Sequence, residues 1–473
     1  MYCIMNIANR NKNFIDRDKL YTLLEGKTPK QSELNEILNK ALKLKGLSLQ
    51  DVALLLKIED KADIQKIMDV AHKVKEAIYG KRLVLFAPIY TGNICFNNCT
   101  YCSFRKDNRL IERKILTMEE IEQETSSLLS QGHKRVLLIC GENRKNDTDY
   151  MCEAIRRVYN VRTHEGRDYI RRINVELAPM EVEDFHKLHE QKIGTYVCFQ
   201  ETYDSELYKR FHPSGTPKAN FEYRLTVMDR AQEGGINDVG IGALFGLGDY
   251  RFEVLAMLEH ARHLEECYGV GPHTISVPRL EPAIGAPDSE NIPNKVSDED
   301  FKKLVAIIRI ALPYTGMILS TRENANMRNE LINYGISQIS AGSKTNPGAY
   351  SEKKKQHTGS QFSLSDERNL EDVINSFIDE GYIPSFCTGC YRNGRTGEDF
   401  MDLAKPGLIK QYCLPNAIFT FQEYLNDFAS QETKQKGERL IKQMLQAYDQ
   451  KQLIPKIEDN ISQINKGQRD IYF

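Results

Sequence analysis

Between Leu83 and Ser340 the chain carries eight short apolar runs, at 83–88, 136–140, 173–178, 195–199, 239–245, 274–277, 317–320 and 338–340. Most are continuous rather than alternating, and a strand apolar at every position has both faces covered, as parallel strands do. Helical patterns lie between them, at 118–129 behind a Thr117/Glu120 capping box, 221–233, 252–266 and 298–310. Strand and helix alternating eight times over roughly 260 residues fit the size of a closed (β/α)8 barrel. A doubly wound open sheet would alternate in the same way, so the count of eight decides between them. The predicted fold class is α/β, a (β/α)8 TIM-type barrel.

Polar, chemically capable residues follow the runs: 93–102, Gly141-Glu142, Gln200-Glu201-Thr202-Tyr203, Pro278-Arg279 and Thr321-Arg322-Glu323. Functional groups of such barrels collect at the C-terminal ends of the strands. The first 80 residues read as helical at 31–44, 49–56 and 64–79, with a Ser48/Asp51 capping box opening the second. The polar segment 347–365, with Glu352-Lys353-Lys354-Lys355 inside it, reads as a boundary or surface loop. Helical patterns return at 369–380, 416–428 and 437–448. The predicted organisation is a helical extension (1–80), the barrel (81–346) and a mainly helical C-terminal domain (347–473).

Charge excludes some partners. Lys and Arg number 64 against 66 Asp and Glu, a formal net charge of −2, so no global field attracts nucleic acid or an anionic membrane. No run approaches the length of a membrane span, and residues 1–20 lack an apolar h-region. The expected location is the cytoplasm, where clustered thiols bind metal or do chemistry more often than they pair. The cysteine count of 11 is odd, which no complete disulfide framework gives.

Six of the eleven fall into two groups. Cys95, Cys99 and Cys102 have the spacing C-x3-C-x2-C, just after the first apolar run. Three thiolates on a tight loop hold three irons of a cubane and leave the fourth open, whereas structural zinc wants four closed ligands. Cys387, Cys390 and Cys413 form a second group, C-x2-C-x22-C, again without an evident fourth ligand. A redox pair or zinc ribbon is the alternative for the C-x-x-C taken alone. Cys3, Cys140, Cys152, Cys198 and Cys267 read as ordinary residues.

The C-x3-C-x2-C motif after the first barrel strand resembles the signature of the radical S-adenosylmethionine enzymes. That resemblance implies a 4Fe-4S cluster whose open iron holds S-adenosylmethionine, with Phe104 against adenine and Gly141-Glu142 meeting the methionyl amino group. Asn174 and Glu176, in the third run, are expected around the same cofactor. With the second cysteine group, the segment 271–279 and the stretch 469–473, the chain resembles the tyrosine lyases that mature FeFe-hydrogenase. This implies cleavage of the Cα–Cβ bond of L-tyrosine to p-cresol and dehydroglycine, then CO and cyanide made at a second 4Fe-4S cluster and captured as an Fe(CO)2(CN) unit. It further implies a labile iron held by His273 and bridged by free L-cysteine, with Ser320, Arg322 and Glu201 as catalytic or substrate-holding residues. Implied partners are a flavodoxin or ferredoxin as electron donor and other hydrogenase maturation proteins.

Some positions lean elsewhere. Gly141-Glu142-Asn143-Arg144 stands where the maturing enzymes commonly have Gly-Glu-Asp-Pro. Asn174-Val175-Glu176-Leu177-Ala178-Pro179 is nearer the thiazole-pathway tyrosine lyases, which lack the second cluster and release dehydroglycine. That activity, or a related aromatic amino-acid lyase, is the alternative. A non-catalytic iron–sulfur carrier is a third reading, against which the intact Gly141-Glu142 and Phe104 neighbourhood speaks.

Overall fold

The computed structural model describes residues 12–352 and 359–473. Cys3 and Lys353 to Lys355 lie outside the described residues. Eight parallel strands close into a barrel: β1 (Arg82–Gly92), β2 (Arg135–Cys140), β3 (Arg172–Glu176), β4 (Tyr196–Val197), β5 (Val239–Gly242), β6 (Thr274–Ser276), β7 (Gly316–Leu319) and β8 (Gln338–Ser340). Closure runs through β1, which pairs with β2 from Ala87↔Val136 onward and with β8 from Val84↔Gln338 to Phe86↔Ser340. Helices Met118–Ser130, Thr148–Asn160, Val182–Glu190, Tyr250–Tyr268, Asp298–Ala311 and Ala325–Tyr334 alternate with the strands, as the apolar runs require.

A ninth strand, β9 (Ile383–Ser385), lies parallel to the first residues of β1, with Arg82↔Ile383 and Val84↔Ser385 in register. Pro384 lacks a backbone N–H, which is unfavourable in the middle of a sheet. Position resolves the conflict, since β9 is an edge strand, where proline costs no ladder bond on its open side. β1 is thus 11 residues long, or about 33 Å at the usual rise per residue. Its start belongs to the C-terminal region and its end to the barrel mouth.

The N-terminal helices Arg17–Leu24, Gln31–Ala41, Leu49–Leu56 and Lys61–Tyr79 pack outside the barrel. The Ser48/Asp51 box forms in both directions, at 3.1 and 3.3 Å. Arg309 fastens the adjoining barrel helix, its guanidinium donating to the carbonyls of Pro313, Thr315 and Gly335.

Three expectations are corrected. The helix over 221–233 is two, Phe221–Leu225 and Val227–Glu233, broken at Thr226 (φ −90°, ψ 13°). The Thr226 hydroxyl donates to the Glu222 carbonyl at 2.8 Å, a local bond that competes with helix continuation. The helix predicted from 416 begins at Lys410 and runs to Asp427 through Pro415, which puts Cys413 on it. The described part of 347–365 is no detached surface loop: it folds across the barrel mouth. Its polar groups meet barrel partners there, Tyr350 Oη donating to the Pro88 carbonyl at 2.9 Å and Tyr350 N and Ser351 N donating to the Glu124 carboxylate at 3.2 and 2.6 Å. Among the described residues no helix is long and apolar enough to cross a membrane.

The C-terminal helix Lys410–Asp427 is tied to the barrel by Arg171 and Glu423, 2.7 Å apart with side chains 2% and 3% exposed. Removing one member of such a pair strands a buried charge, whereas replacing both removes the desolvation cost as well. Arg171→Met should lower unfolding stability by about 3–5 kcal/mol, and adding Glu423→Leu should recover most of that loss. Denaturant unfolding of the two single variants and the double variant checks the cycle.

Candidate active site

From Gly92 the chain turns over the barrel mouth. Cys99 is buried there, with Cys95 and Cys102 half-buried. One side chain sets the shape of this loop. Arg113 donates from Nη1 to the carbonyls of Asn93 (2.7 Å) and Phe104 (2.9 Å), and from Nη2 to those of Arg105 (2.5 Å) and Asn108 (3.0 Å). The Phe96 N–H donates to the Glu142 carbonyl at 2.7 Å and stitches the loop to the end of β2. That approach is why position 141 has no side chain: a Cβ on Gly141 would lie 2.4 Å from the Ile94 carbonyl oxygen and 3.2 Å from Cys95 Cβ.

Burial pushes the thiols up, Cys99 to about 11 and Cys102 to about 12. Left to themselves they are neutral at pH 7, and only a strongly positive partner holds them as thiolates. Among the described residues neither cysteine triad brings its three ligand atoms within 4.8 Å of one another. A tetrahedral ion with sulfur at about 2.3 Å needs them about 3.8 Å apart. The donor set therefore frames something larger than one ion, and a 4Fe-4S cluster fits it.

The cavity bounded by these cysteines is also lined by Phe104, Gly141, Glu142, Glu176, Glu201, Lys218, Arg224 and Arg322. Asn97 bridges its parts, donating from Nδ2 to Glu142 Oε2 (2.5 Å) and accepting at Oδ1 from the Lys218 N–H (2.8 Å). Glu201 accepts from Lys218 Nζ at 2.5 Å with Arg224 at 3.8 Å. Burial raises Glu201, but the two cations outweigh it and hold the carboxyl below its usual range. Its backbone sits at φ +71°, a left-handed conformation that costs a non-glycine residue energy. Glu253 stabilises that turn, accepting from Thr202 Oγ1 (2.5 Å) and the Tyr203 N–H (2.8 Å).

Deeper in the barrel lies a second cavity, lined by Tyr90, Asn174, Glu176, Ser320, Arg322, Gln338 and Phe362 among others. The Arg322 guanidinium lies 3.4 Å from the centre of the Phe362 ring. Among the described residues no carboxylate comes within salt-bridge distance of it. Burial pushes Glu176 up to about 7, with the Glu201 charge adding to the effect. Gln361, from the mouth-covering segment, accepts from Tyr90 Oη at 2.8 Å. Asn174 is absent from the cavity of the first triad. Its Oδ1 accepts from Arg172 Nε (3.1 Å) and the Thr195 N–H (3.0 Å).

A third cavity lies at the opposite end of the barrel, lined by Cys387, Cys390, Cys413, His273, Arg82, Arg135, Arg172 and Gln338. Cys387 follows β9, and its Sγ accepts from the Gly389 N–H at 3.2 Å. Cys390 lies on the short helix Gly389–Arg392. Burial raises Cys387 and Cys413, and Arg82 works against it. His273 packs against Phe400 with ring centres 4.4 Å apart and planes tilted by 51°, and its Nδ1 is buried without a hydrogen bond, 3.4 Å from the Asp238 carboxylate. Burial lowers its imidazole to about 4, so it is neutral, as a metal ligand must be. Phe473 is tied to the cavity-lining Asn416, to which its N–H donates (2.7 Å), and its backbone oxygen accepts from Asn393 (3.1 Å) and Arg395 (2.9 Å). Gln338 lines both the second and third cavities.

Residues 89–261 match the model of the radical SAM superfamily, and 276–383 match the Biotin and Thiamin Synthesis associated domain. The chain superposes on the crystal structure of HydG, a maturase of the FeFe-hydrogenase, with a TM-score of 0.94 and 47% identity, covering 98% of this chain and 100% of that one. The chain belongs to the HydG family of radical S-adenosylmethionine enzymes. HydG from Carboxydothermus hydrogenoformans gives a TM-score of 0.81 at 40% identity, covering 94% of this chain and 97% of that one. The 2-iminoacetate synthase of Salmonella typhimurium is 31% identical over 387 residues, 79% of this chain and 96% of that protein.

Within the HydG family fold, the residues expected to act together do meet, apart from Asn174. Cys140, expected to be core, instead lines the first cavity. Nothing in the sequence pattern singles out Lys218, Glu253, Gln361 or Phe362, whereas Arg224-Leu225, a pair that leans toward the thiazole-pathway lyases, does bring Arg224 to the first cavity. Arg113 was equally silent, since nothing in a basic loop residue shows that its donors will meet four carbonyls. Gly141→Ala should leave no room for the cysteine loop and should remove the iron held by Cys95, Cys99 and Cys102. Iron per chain, measured beside Cys95→Ser, is the check.

Proposed function

We propose that this radical S-adenosylmethionine enzyme is a lyase that splits the Cα–Cβ bond of L-tyrosine to p-cresol and dehydroglycine. Its second cysteine site then turns dehydroglycine into CO and cyanide for FeFe-hydrogenase assembly. The observation that carries this reading is the pair of three-thiol sites at opposite ends of one barrel, with the guanidinium of Arg322 between them. A cluster held by Cys95, Cys99 and Cys102 would supply the one electron that cleaves the C5′–S bond of S-adenosylmethionine to methionine and a 5′-deoxyadenosyl radical, and a second held by Cys387, Cys390 and Cys413, with a labile iron and free L-cysteine, would supply the metal for the diatomic products.

The chain's own residues do the rest. Arg322 takes the tyrosine carboxylate through its planar fork, and its contact with Phe362 fixes the guanidinium plane. Ser320, whose Oγ accepts from the Arg322 N–H at 3.4 Å, holds that backbone turn. Glu176 receives the substrate ammonium, which pairs it with a cation and leaves it facing the arginine across the bound amino acid. This moves Glu176 from the cofactor toward the substrate, while Gly141, Glu142 and Phe104 keep the methionyl and adenine ends. Glu201 fixes the two cations Lys218 and Arg224, which face the anionic parts of both ligands. Gln361 and Phe362 exclude water, a donor of hydrogen atoms that would quench the radical path. At the far end His273 ligates the labile iron, oriented by Asp238.

The 2-iminoacetate synthase relationship supports a narrower second reading, a lyase that stops at dehydroglycine. Reduced enzyme given tyrosine and S-adenosylmethionine should yield p-cresol, CO and cyanide together; p-cresol alone would leave the narrower reading. Cys387→Ser and Cys390→Ser should keep p-cresol formation and abolish CO, and loss of both products from a folded, iron-loaded variant would refute the division of labour. Because Glu176 is ionised only above about pH 7, KM for tyrosine should fall as pH rises through that value, by up to about tenfold per unit on the acid side. In Glu176→Gln that dependence should vanish, as steady-state kinetics at several pH values would record.

A further inference from the structure

On the outer face of the barrel, away from both triads, two helices bring ligating side chains together. The helix Val227–Glu233 carries Asp229 and Glu233, and the neighbouring helix Tyr250–Tyr268 carries His263 and Cys267. Each pair is four residues apart, so each shares one helix face. His263 Nε2 lies 2.7 Å from Asp229 Oδ1, and Cys267 Sγ lies 3.8 and 4.0 Å from the two ring nitrogens. The ligand atoms of Asp229, His263 and Cys267 all fall within 4.8 Å of one another, the one such set of three among the described residues.

Three details separate this group from a surface ion pair. Asp229 is buried, and its Oδ2 has no hydrogen-bond partner, a costly state for a carboxylate oxygen. The His263 ring is held by Phe14, stacked on it at 3.8 Å and 6°. Tyr268 Oη donates to Asp229 Oδ1 at 3.2 Å, so only the Oδ2 of that carboxylate is left unpartnered. Cys267, an ordinary helical residue by its sequence context, therefore sits in a pocket of mixed sulfur, nitrogen and oxygen donors.

We propose that Asp229, His263 and Cys267 form a three-donor mononuclear site for a divalent cation of borderline softness, Zn2+ above all. The donor set argues for that class: a thiolate excludes Mg2+ and Ca2+, and imidazole with carboxylate suits zinc. Binding opens the Asp229–His263 contact from a hydrogen bond to roughly 3.3 Å, the spacing of two ligands about 2.0 Å from one tetrahedral ion. The ion pins Val227–Glu233 to its neighbour just after the Thr226 break, and so steadies the short helix that carries Arg224 into the first cavity.

The test uses the full iron-loaded chain, given Zn2+ and then passed into metal-free buffer. Zinc and iron are counted together, and zinc K-edge absorption reads the ligands. The expected result is about one zinc per chain with one sulfur near 2.3 Å and unchanged iron. Cys267→Ser, Asp229→Asn and His263→Ala should each weaken zinc retention by more than the ~10-fold that loss of an outer partner costs. Unchanged iron in these variants reports an intact fold. No retained zinc, zinc retained equally by the variants, or zinc gained only as iron is lost would overturn the proposal.

Discussion

Thiols buried three at a time are unstable as anions unless something strongly positive sits among them, and both ends of this molecule are organised around that constraint. At the barrel mouth Arg113 spends its donors on loop carbonyls rather than on the sulfurs. At the other end Arg395, Asn393 and Asn416 hold the backbone of Phe473 in the same way. At both ends the backbone is fixed by side-chain hydrogen bonds that leave the sulfurs free of these donors.

Between the two ends the charged groups are graded. The first cavity holds Lys218, Arg224 and Arg322 against Glu142, Glu176 and Glu201, a balance suited to ligands that carry both signs. The third has Arg82, Arg135 and Arg172 with the neutral His273, a surplus of positive charge around three cysteines, which favours their thiolate form. Gly316 makes room for Gln338, whose side chain lines both the second and the third cavity: a Cβ at 316 would lie 2.4 Å from Gln338 Nε2. The barrel is thus filled by polar side chains along part of its axis, where a purely structural barrel packs branched apolar ones.

Much of this is legible in the sequence, for identifiable reasons. Eight apolar runs locate the strands because burial on both faces leaves no other composition open to them. The cysteine spacings announce their chemistry because three ligands on one loop must be close in number as well as space. What stays hidden depends on contacts distant along the chain. Pro384 argues against β9 until its edge position is known. The polar segment at 347–365 resembles any exposed loop, although Gln361 and Phe362 belong to the cavities. Thr226 breaks a helix whose apolar period is uninterrupted, and that break aims Arg224.

β1 also sets a schedule. Its first residues, Arg82 to Val84, find their β9 partners only at Ile383 to Ser385, so this edge stays unpaired through roughly 300 residues of synthesis. At ribosomal rates that interval is on the order of 15 to 60 s, during which the nascent strand presents open hydrogen-bonding groups to any extended chain it meets. The cysteine loop beyond β1 is made long before Cys413 exists to complete the second triad. Two cysteine triads of one chain are therefore born unequal in time, and the first is synthesised whole while the second is still unmade.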